Sequence, residues 1–400
     1  MSDINLTKVA EPTTPGANTS TLYVDTVDRR LKQKDDLGVV STMAGGFDRN
    51  ALCNGGFDIN QRIAAALTNI PGASATARVF TADRWGFTVG NTTTPQYQQV
   101  DAIAAPETGL QARFYARYKQ LTNAAKIIVS QVVPSVETAQ LRGRIVRFQC
   151  KMRYSVGSNR DMRLGLIQLN STGTADTMPA SFIPAFNANG SDPTLGTNLA
   201  YIVPTLVDGG TLSGSAMTCP ITTSWVRFSA TFLVPTDCRN LVVAVWSNNT
   251  FAANDDLLIT ECGLYDGQEI LDWVPLPRTV ELFRCQRFFA KTFPQGVAPA
   301  QTGGLPGAVR SPVVVAGTSA VGVAGTWRFP VTMFKTPTIT TFYNPAAGNA
   351  FVRNTSASTD ATATSGSNQS DQAVDYTATG LAAWTVGQFT SVHIAVDAEI

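Results

Sequence analysis

The sequence is poor in histidine and in closely spaced cysteines. Its 400 residues include one histidine, His393. A single histidine excludes zinc sites built on several histidines and leaves any Ser-His-Asp triad dependent on that residue. The six cysteines are far apart and form no C-x-x-C pair, which argues against a zinc ribbon, a redox motif or a dense disulfide framework. We therefore expect buried free thiols.

Charge is scarce and balanced. The 30 Lys and Arg residues oppose 29 Asp and Glu residues, giving a net charge of +1, so no overall field draws the chain to nucleic acid or to an anionic membrane. The longest stretch without an acid, lysine or arginine, 376–396, is interrupted by polar residues and lacks the ~18 consecutive apolar residues of a membrane helix. Asp3, Asn5 and Lys8 stand where a signal peptide needs an apolar core. We expect no nucleic-acid partner, no membrane insertion and no secretion by a signal peptide.

The remaining composition favours an all-β protein of more than one domain. Hydrophobic residues make up 44% of the chain and charged residues 15%, with 32 glycines and 21 prolines, which is too apolar for a disordered chain and too turn-rich for a helical bundle. The patterning predicts an extended N-terminal arm at 1–48, a jelly-roll β-sandwich at 49–277 and a smaller C-terminal β domain with a short leading helix at 278–400.

Local patterns support these three parts. The first 48 residues contain too few large apolar side chains to form a core. Strict alternation from Val146 to Tyr154 predicts a strand with Val146, Phe148, Cys150, Met152 and Tyr154 facing inward. Residues 170–214 are predicted to be a long loop insertion, and 279–289 a short helix with Thr279 as its N-cap.

Spaced motifs then resemble a known family. The motifs are Pro15-Gly16 with 21–25 and 31–38, the NGGFDINQR run at 54–62 with TADRW at 81–85, LLITECGLYDG at 257–267 and ELFRCQRFF at 281–289. Together they resemble structural proteins of tailed-bacteriophage virions of the fibre or appendage type, with a jelly-roll module of carbohydrate-binding type. The resemblance spans about three quarters of the chain, and its most specific motifs are the last two.

The resemblance implies a binding protein that docks on the particle by its arm and displays β domains towards the host surface. It implies a place in the virion after assembly in the bacterial cytoplasm, with other virion proteins and a host-surface glycan as partners. The implied anchoring residues are Leu22, Tyr23, Val24, Leu31 and Leu37. Alternatives are a head decoration or collar protein and, in another class, a tail-spike glycan depolymerase.

The resemblance also implies a structural calcium ion at Asp58 and Glu261, two residues that otherwise take ordinary surface or capping roles. No other cofactor is expected. A homo-oligomer is predicted because Leu282, Phe283, Phe288 and Phe289 form more apolar surface than a short helix buries, and the resemblance favours a trimer. The alternative is that Phe283 and Phe288 join the two domains of one chain.

The residues themselves offer few candidate sites. A sugar platform needs aromatic rings beside polar partners, and the candidates are Trp85, Tyr97, Tyr115, Tyr118 and Trp246, with core packing favoured for Trp85 and Trp246. Arg147, Lys151 and Arg153 form an outward basic row. The acids considered for glycan cleavage are Asp161, Asp255, Asp256 and Asp266. No G-x-S-x-G motif, P-loop or dinucleotide fingerprint is present, so we predict no catalytic residues and no enzyme activity.

Overall fold

The computed structural model describes residues 8–25, 31–38, 40–44, 50–70, 72–73, 78–91, 94–104, 107–122, 124–155, 160–315, 321–379 and 384–400. These residues form β-sheets, antiparallel except for one parallel pair between residues 8–9 and 24–25, together with two short helices. The all-β prediction is therefore confirmed. Among the described residues, no helix is long and apolar enough to cross a membrane.

The described part of the predicted arm forms a small sheet. Its strands, in spatial order, are β1 (Lys8–Val9), β2 (Thr21–Asp25), β3 (Leu31–Lys34) and β4 (Val40–Ala44). Gly38, at φ 83°, closes the turn between β3 and β4 with a 3.0 Å hydrogen bond from its N–H to the Asp35 carbonyl. The arm was predicted to be extended, but its strands pair with one another instead of running as one extended segment. Pairing satisfies backbone groups that a lone strand leaves to water.

Residues 50–266 form a sandwich of two sheets. Its elements are β5 (Thr68–Asn69), β6 (Val79–Phe80), β7 (Gly86–Val89), β8 (Pro95–Asp101), β9 (Phe114–Gln120), β10 (Ile127–Val133), α1 (Ser135–Leu141), β11 (Ile145–Arg153), β12 (Arg160–Leu169), β13 (Leu199–Ile202), β14 (Leu206–Asp208), β15 (Thr211–Ser213), β16 (Ala216–Ile221), β17 (Val226–Leu233), β18 (Asn240–Ser247) and β19 (Asp256–Asp266). The first sheet has the order β15-β16-β12-β18-β10-β7-β6, with β13 paired to β12. The second sheet has the order β14-β17-β11-β19-β9-β8-β5.

The alternation predicted in β11 is confirmed. Its inward side chains are 5% exposed or less and lie in the core between the two sheets: Val146, Phe148, Cys150, Met152 and, just beyond the strand, Tyr154. The 170–214 insertion contains β13, β14 and β15, and it packs Phe182 and Ile183 on the outer side of the first sheet. Helix α1 was not predicted, because seven residues carry too few turns for a clear helical period.

The remaining elements form the C-terminal domain. They are α2 (Arg278–Gln286), β20 (Phe289–Lys291), β21 (Val309–Pro312), β22 (Val321–Arg328), β23 (Ile339–Tyr343), β24 (Arg353–Asn354), β25 (Thr359–Asp360), β26 (Ala363–Ser367), β27 (Ala373–Thr379) and β28 (Phe389–Asp397). β28 pairs with β20, β21, β23 and β24, while β22, β27 and β26 form a separate sheet. The predicted helix is present as α2, but it begins at Arg278 after Pro277, so Thr279 is not its N-cap.

A β-bulge in β19 fixes how residues 50–60 join the sandwich. The β11–β19 register shifts between Gln149 and Lys151, and Glu261 in the bulge adopts φ 51°. The freed N–H of Cys262 donates to the carbonyl of Gly55 at 2.9 Å. A Cβ atom on Gly55 would lie 2.1 Å from the Cys262 oxygen. Only glycine therefore fits this close approach.

We predict that Gly55→Ala lowers the free energy of unfolding by about 1–3 kcal/mol, the usual range for overpacking, because the contacted atom is rigid backbone. Urea unfolding followed by tryptophan fluorescence measures the change. Gly348→Ala is the matched control, since a Cβ atom there meets nothing within 4 Å. Equal losses in both variants would contradict this explanation.

Candidate functional site

The aromatic residues considered for a sugar platform are buried. Each is at most 5% exposed: Trp85, Tyr97, Tyr115, Tyr118 and Trp246. Trp85 stacks on Phe57 with ring centroids 5.0 Å apart, and Tyr118 stacks on Phe87 at 5.3 Å. The core packing predicted for Trp85 and Trp246 is confirmed. None of the five rings offers a free face to a sugar.

A half-buried aromatic cluster lies on the outer face of the second sheet. Trp225 packs edge-on against Tyr115 with centroids 5.3 Å apart, and the Arg153 guanidinium lies 5.2 Å from the Trp225 ring. Glu107 accepts a 3.1 Å hydrogen bond from the Trp225 indole and pairs with Arg153. The sequence analysis did not predict this cluster. The alternation of side chains could have indicated it: residues 228, 230 and 232 face inward, so an odd-numbered residue such as Trp225 is expected on the outer face.

Two of the three residues of the predicted basic row are neutralised within the chain. Lys151 Nζ lies 2.8 Å from Glu261 Oε2, and Arg153 pairs with Glu107. Arg147 is buried and donates a 2.7 Å hydrogen bond to Ser229 Oγ. This row therefore leaves little positive charge for an anionic ligand.

Of the two residues suggested for calcium, Glu261 is engaged within the chain. Both Glu261 oxygens have partners, since Oε2 pairs with Lys151 and Oε1 accepts hydrogen bonds from the backbone N–H groups of Gln111 and Ala112. Burial and the neighbouring charge of Glu281 raise the pKa of Asp58 to about 6. Glu261 is thus an ion-pair partner beside the bulge.

Three of the four acids considered for catalysis belong to ion pairs. Asp255 pairs with Arg160, Asp256 with Arg117 at 2.8 Å, and Asp266 with Arg144 at 2.7 Å. Each of these three carboxylates is engaged by an arginine of the same chain. These pairs support β-sheet edges and loops.

The family-like motifs converge at the junction between the two domains, and Asn54 is its centre. Asn54 adopts φ 57°. Its carbonyl accepts a 2.9 Å hydrogen bond from the indole N–H of Trp85, and its side-chain amide donates to the carbonyls of Ile59 and Asp83. The Asn54 N–H donates to Glu281 Oε1 of α2 at 2.5 Å. Residues from three separate motifs thus meet around one asparagine.

Gln61 and Asp83 extend the junction to the C-terminal domain. Asp83 accepts hydrogen bonds from the Gln61 N–H at 2.7 Å and Nε2 at 2.9 Å, and Gln61 also donates to the Phe289 carbonyl. Burial raises the pKa of Asp83 to about 6. Burial also lowers the pKa of Lys291, whose ammonium donates to the Gln61 carbonyl, to about 8.

Two arginines complete the junction. Arg62 pairs with Asp397 Oδ2 at 2.6 Å and Glu399 Oε1 at 3.0 Å, while Arg84 pairs with Glu399 and donates to the Val132 carbonyl at 2.6 Å. All these side chains are less than a fifth exposed. The guanidinium groups also lie over aromatic rings, Arg84 at 3.5 Å from Phe288 and Arg62 at 4.0 Å from Phe289.

The residues predicted for an oligomer interface divide into two groups. Phe288 and Phe289 are 5% and 7% exposed and pack inside the junction. The alternative prediction, that Phe283 and Phe288 join the two domains of one chain, therefore fits Phe288. Leu282 packs on the cluster of Cys53, Ile59 and Cys285. Phe283 is 49% exposed and stays available to a partner.

The predicted anchoring residues are unequally accessible. Leu22 and Leu37 are 48% and 84% exposed, whereas Tyr23 is buried and Val24 half-buried. The side chain of Leu31 lies outside the described residues. Lys32 Nζ lies 2.8 Å from Glu269 of the linker to the C-terminal domain, which ties the arm sheet to the body.

His393 has a structural setting in β28. Its ring stacks on Phe293 with centroids 3.9 Å apart, Nε2 contacts the Gly304 carbonyl at 2.9 Å and Nδ1 contacts the Thr292 hydroxyl at 3.1 Å. A carbonyl only accepts, so Nε2 carries the proton of the neutral ring. Burial lowers the pKa of His393 below its usual value of 6.5.

We predict that the single imidazole resonance of the folded protein titrates with a midpoint below 6.5, measured by NMR, and moves to the ordinary value in urea. Because the unfolded chain then binds the proton more tightly, acidification through pH 6.5 favours unfolding through this residue. In His393→Gln this component of the pH dependence disappears. A folded midpoint at or above the urea value would contradict the prediction.

Comparisons with known proteins give structural likeness only. No family model matches the chain, and no curated protein matches it. Among solved structures it is similar to TmCBM61 in complex with β-1,4-galactotriose, at 11% identity and TM-score 0.29 over 55% of this chain and 100% of that one. It is similar to the enzymatically active domain of tailspike protein 4 of bacteriophage CBA120, at 9% identity and TM-score 0.30 over 55% of this chain and 21% of that one. The C-terminal family 22 carbohydrate-binding module of Clostridium thermocellum Xyn10B is 11% identical at TM-score 0.29, over 52% and 96%. At these values the likeness assigns no function to the chain.

Proposed function

We propose that the chain is a structural protein of a tailed-bacteriophage virion, a fibre or appendage component assembled in the host cytoplasm. The observation that carries the proposal is the separateness of the arm sheet. None of the described residues of β1–β4 belongs to either of the two large hydrophobic cores. A segment that folds outside the cores of its own chain is suited to docking on another protein.

The exposed surface of the arm supports this role. Leu37 at the β3–β4 turn is 84% exposed, and Leu22 on β2 is 48% exposed. Exposed leucines on a small sheet gain free energy by burial against a partner. The partner is another virion protein, and a head decoration or collar position is the alternative location.

The body of the protein acts by binding rather than by catalysis. Asp255, Asp256 and Asp266 are held by arginines, which weakens the alternative of a glycan depolymerase. The cluster of Trp225, Arg153 and Glu107 combines a half-buried indole with charged hydrogen-bonding groups. These are the groups that bind a sugar ring, and we assign a host-surface glycan to this face.

The exposed apolar residues of the linker and α2 suit contact between copies. Their exposed fractions are 39% for Ile270, 73% for Val274, 42% for Leu276, 45% for Val280 and 49% for Phe283. An open groove of about 410 Å³ lies beside Phe283 and is lined by Val280, Arg287, Val331 and Thr332. Cyclic symmetry is the common form of homo-oligomers, and the trimeric state rests on the resemblance to phage fibres.

Deletion of residues 1–48 should leave a folded body that no longer enters phage particles, because the arm supplies docking and not core packing. Incorporation is measured by mass spectrometry of particles assembled with the variant. Leu37→Asp in the full chain should also lower incorporation, whereas Leu233→Asp, an equally apolar exposed site on the sandwich, should not. Normal copy number in the deletion variant would refute the arm hypothesis.

The full protein should bind host polysaccharide without releasing reducing ends. Trp225→Ala should weaken retention by up to about tenfold, since one stacking aromatic contributes about 0.5–1.5 kcal/mol beyond area burial and 1.4 kcal/mol corresponds to a factor of ten. Affinity electrophoresis in host lipopolysaccharide or capsule measures retention. Trp327→Ala, a half-buried tryptophan of the C-terminal domain, is the control. Release of reducing ends would show an enzyme, and equal retention by wild type and Trp225→Ala would exclude this glycan face.

Light scattering at micromolar concentration should give the mass of three chains, and Phe283→Glu should shift it to one chain, because a buried unpaired carboxylate opposes association. Val386→Glu, placed on an exposed site of the C-terminal domain, should keep the wild-type mass. A wild-type mass of one chain would refute the oligomer, and a dimer would refute only the stoichiometry.

A further inference from the structure

Two cysteines and one glutamate, Cys53, Cys285 and Glu281, lie close together in the junction, and no function has been proposed for them above. Cys53 follows the start of the sandwich, and Cys285 lies on α2, 232 residues later. Their sulfur atoms are 3.5 Å apart, and the carboxylate of Glu281 lies within 4.8 Å of both. All three side chains are buried.

The spacing of these atoms suits a tetrahedral ion. With Zn–S bonds of about 2.3 Å, two thiolates of a tetrahedral site lie roughly 3.8 Å apart, close to the observed separation. A disulfide would require the sulfurs to approach to about 2 Å. Two thiolates with one carboxylate are ligands that zinc accepts, and the soft sulfur atoms disfavour calcium and magnesium.

Charge balance also favours a divalent cation. Two thiolates and the Glu281 carboxylate carry three negative charges, and a Zn²⁺ ion together with Arg284 supplies three positive charges. Arg284 Nη1 lies 3.3 Å from Glu281 Oε2, and Nη2 donates to the Leu52 carbonyl at 2.9 Å. The loaded cluster is therefore neutral, which a buried site requires.

The surroundings hold the ligands in place. Gln131 clamps Cys53 by accepting from its N–H at 2.8 Å and donating to its carbonyl at 2.7 Å. Glu281 is oriented by the Asn54 N–H. Such outer contacts pre-organise metal ligands. A cavity of about 30 Å³ that is lined by Cys53, Gln131 and Arg284 has room for one water molecule.

We propose that Cys53, Cys285 and Glu281 bind one Zn²⁺ ion, with a water molecule as the fourth ligand. Binding replaces the two thiol protons, which pass to solvent, and forms two Zn–S bonds with no change in oxidation state. The ion fastens α2 to the sandwich, so its chemistry is structural.

Titration of the reduced full-length protein with Co²⁺ tests the site. We expect the charge-transfer absorption of a cobalt thiolate at one equivalent, loss of that absorption when Zn²⁺ is added, and release of roughly two protons per ion. Cys285→Ser should abolish the absorption. Cys238→Ser, which removes a buried cysteine outside the cluster, should retain it.

Glu281→Gln keeps the side-chain shape and should weaken Co²⁺ binding by at least about tenfold, which preserves a test if Cys285→Ser misfolds. The proposal is overturned if the folded, reduced protein shows no cobalt thiolate absorption. It is also overturned if Cys238→Ser removes the absorption as completely as Cys285→Ser, or if non-reducing peptide mapping of the isolated protein finds Cys53 and Cys285 joined as a disulfide.

Discussion

Two buried arginines hold the architecture together. Arg62 and Arg84, near the start of the sandwich, pair with Asp397, the last residue of β28, and with Glu399 just beyond that strand. Removing one partner of a buried ion pair typically costs about 3–5 kcal/mol, because the other charge stays behind without compensation. That is a large share of the 5–15 kcal/mol by which domains are stable. The position of the C-terminal domain, and with it the burial of Phe288 and Phe289, depends on these contacts.

The family-like motifs describe this architecture better than they describe a ligand site. Asn54, Gln61 and Trp85 come from the first motifs, Glu281 and Phe289 from the last, and hydrogen bonds link them into one network. A protein that binds a different partner can keep this network unchanged. The surfaces to which we assign binding, Leu37 on the arm and Trp225 on the outer sheet, lie outside it.

Local pattern predicted much of the fold and little of the site. The alternation around Phe148 is a property of neighbouring residues, so the strand and its buried face follow directly from the sequence. The ion pair of Arg62 and Asp397 joins residues 335 positions apart, and no periodicity reports such a contact. The same limit applies to Glu261, whose partner Lys151 is reached only through the register of two strands and a bulge. The arm was mispredicted as extended because its self-pairing depends on turns such as the one at Gly38.

The junction residues are far apart in sequence, so one side of the junction is synthesised well before the other. At about 5–20 residues per second, a ribosome needs roughly 20 to 70 s to travel the 335 positions from Arg62 to Asp397. During that interval the nascent sandwich contains Arg62 and Arg84, but their acidic partners have not yet been synthesised. The sandwich can form its own core during that interval, but the ion pairs of the junction form only after β28 has been synthesised.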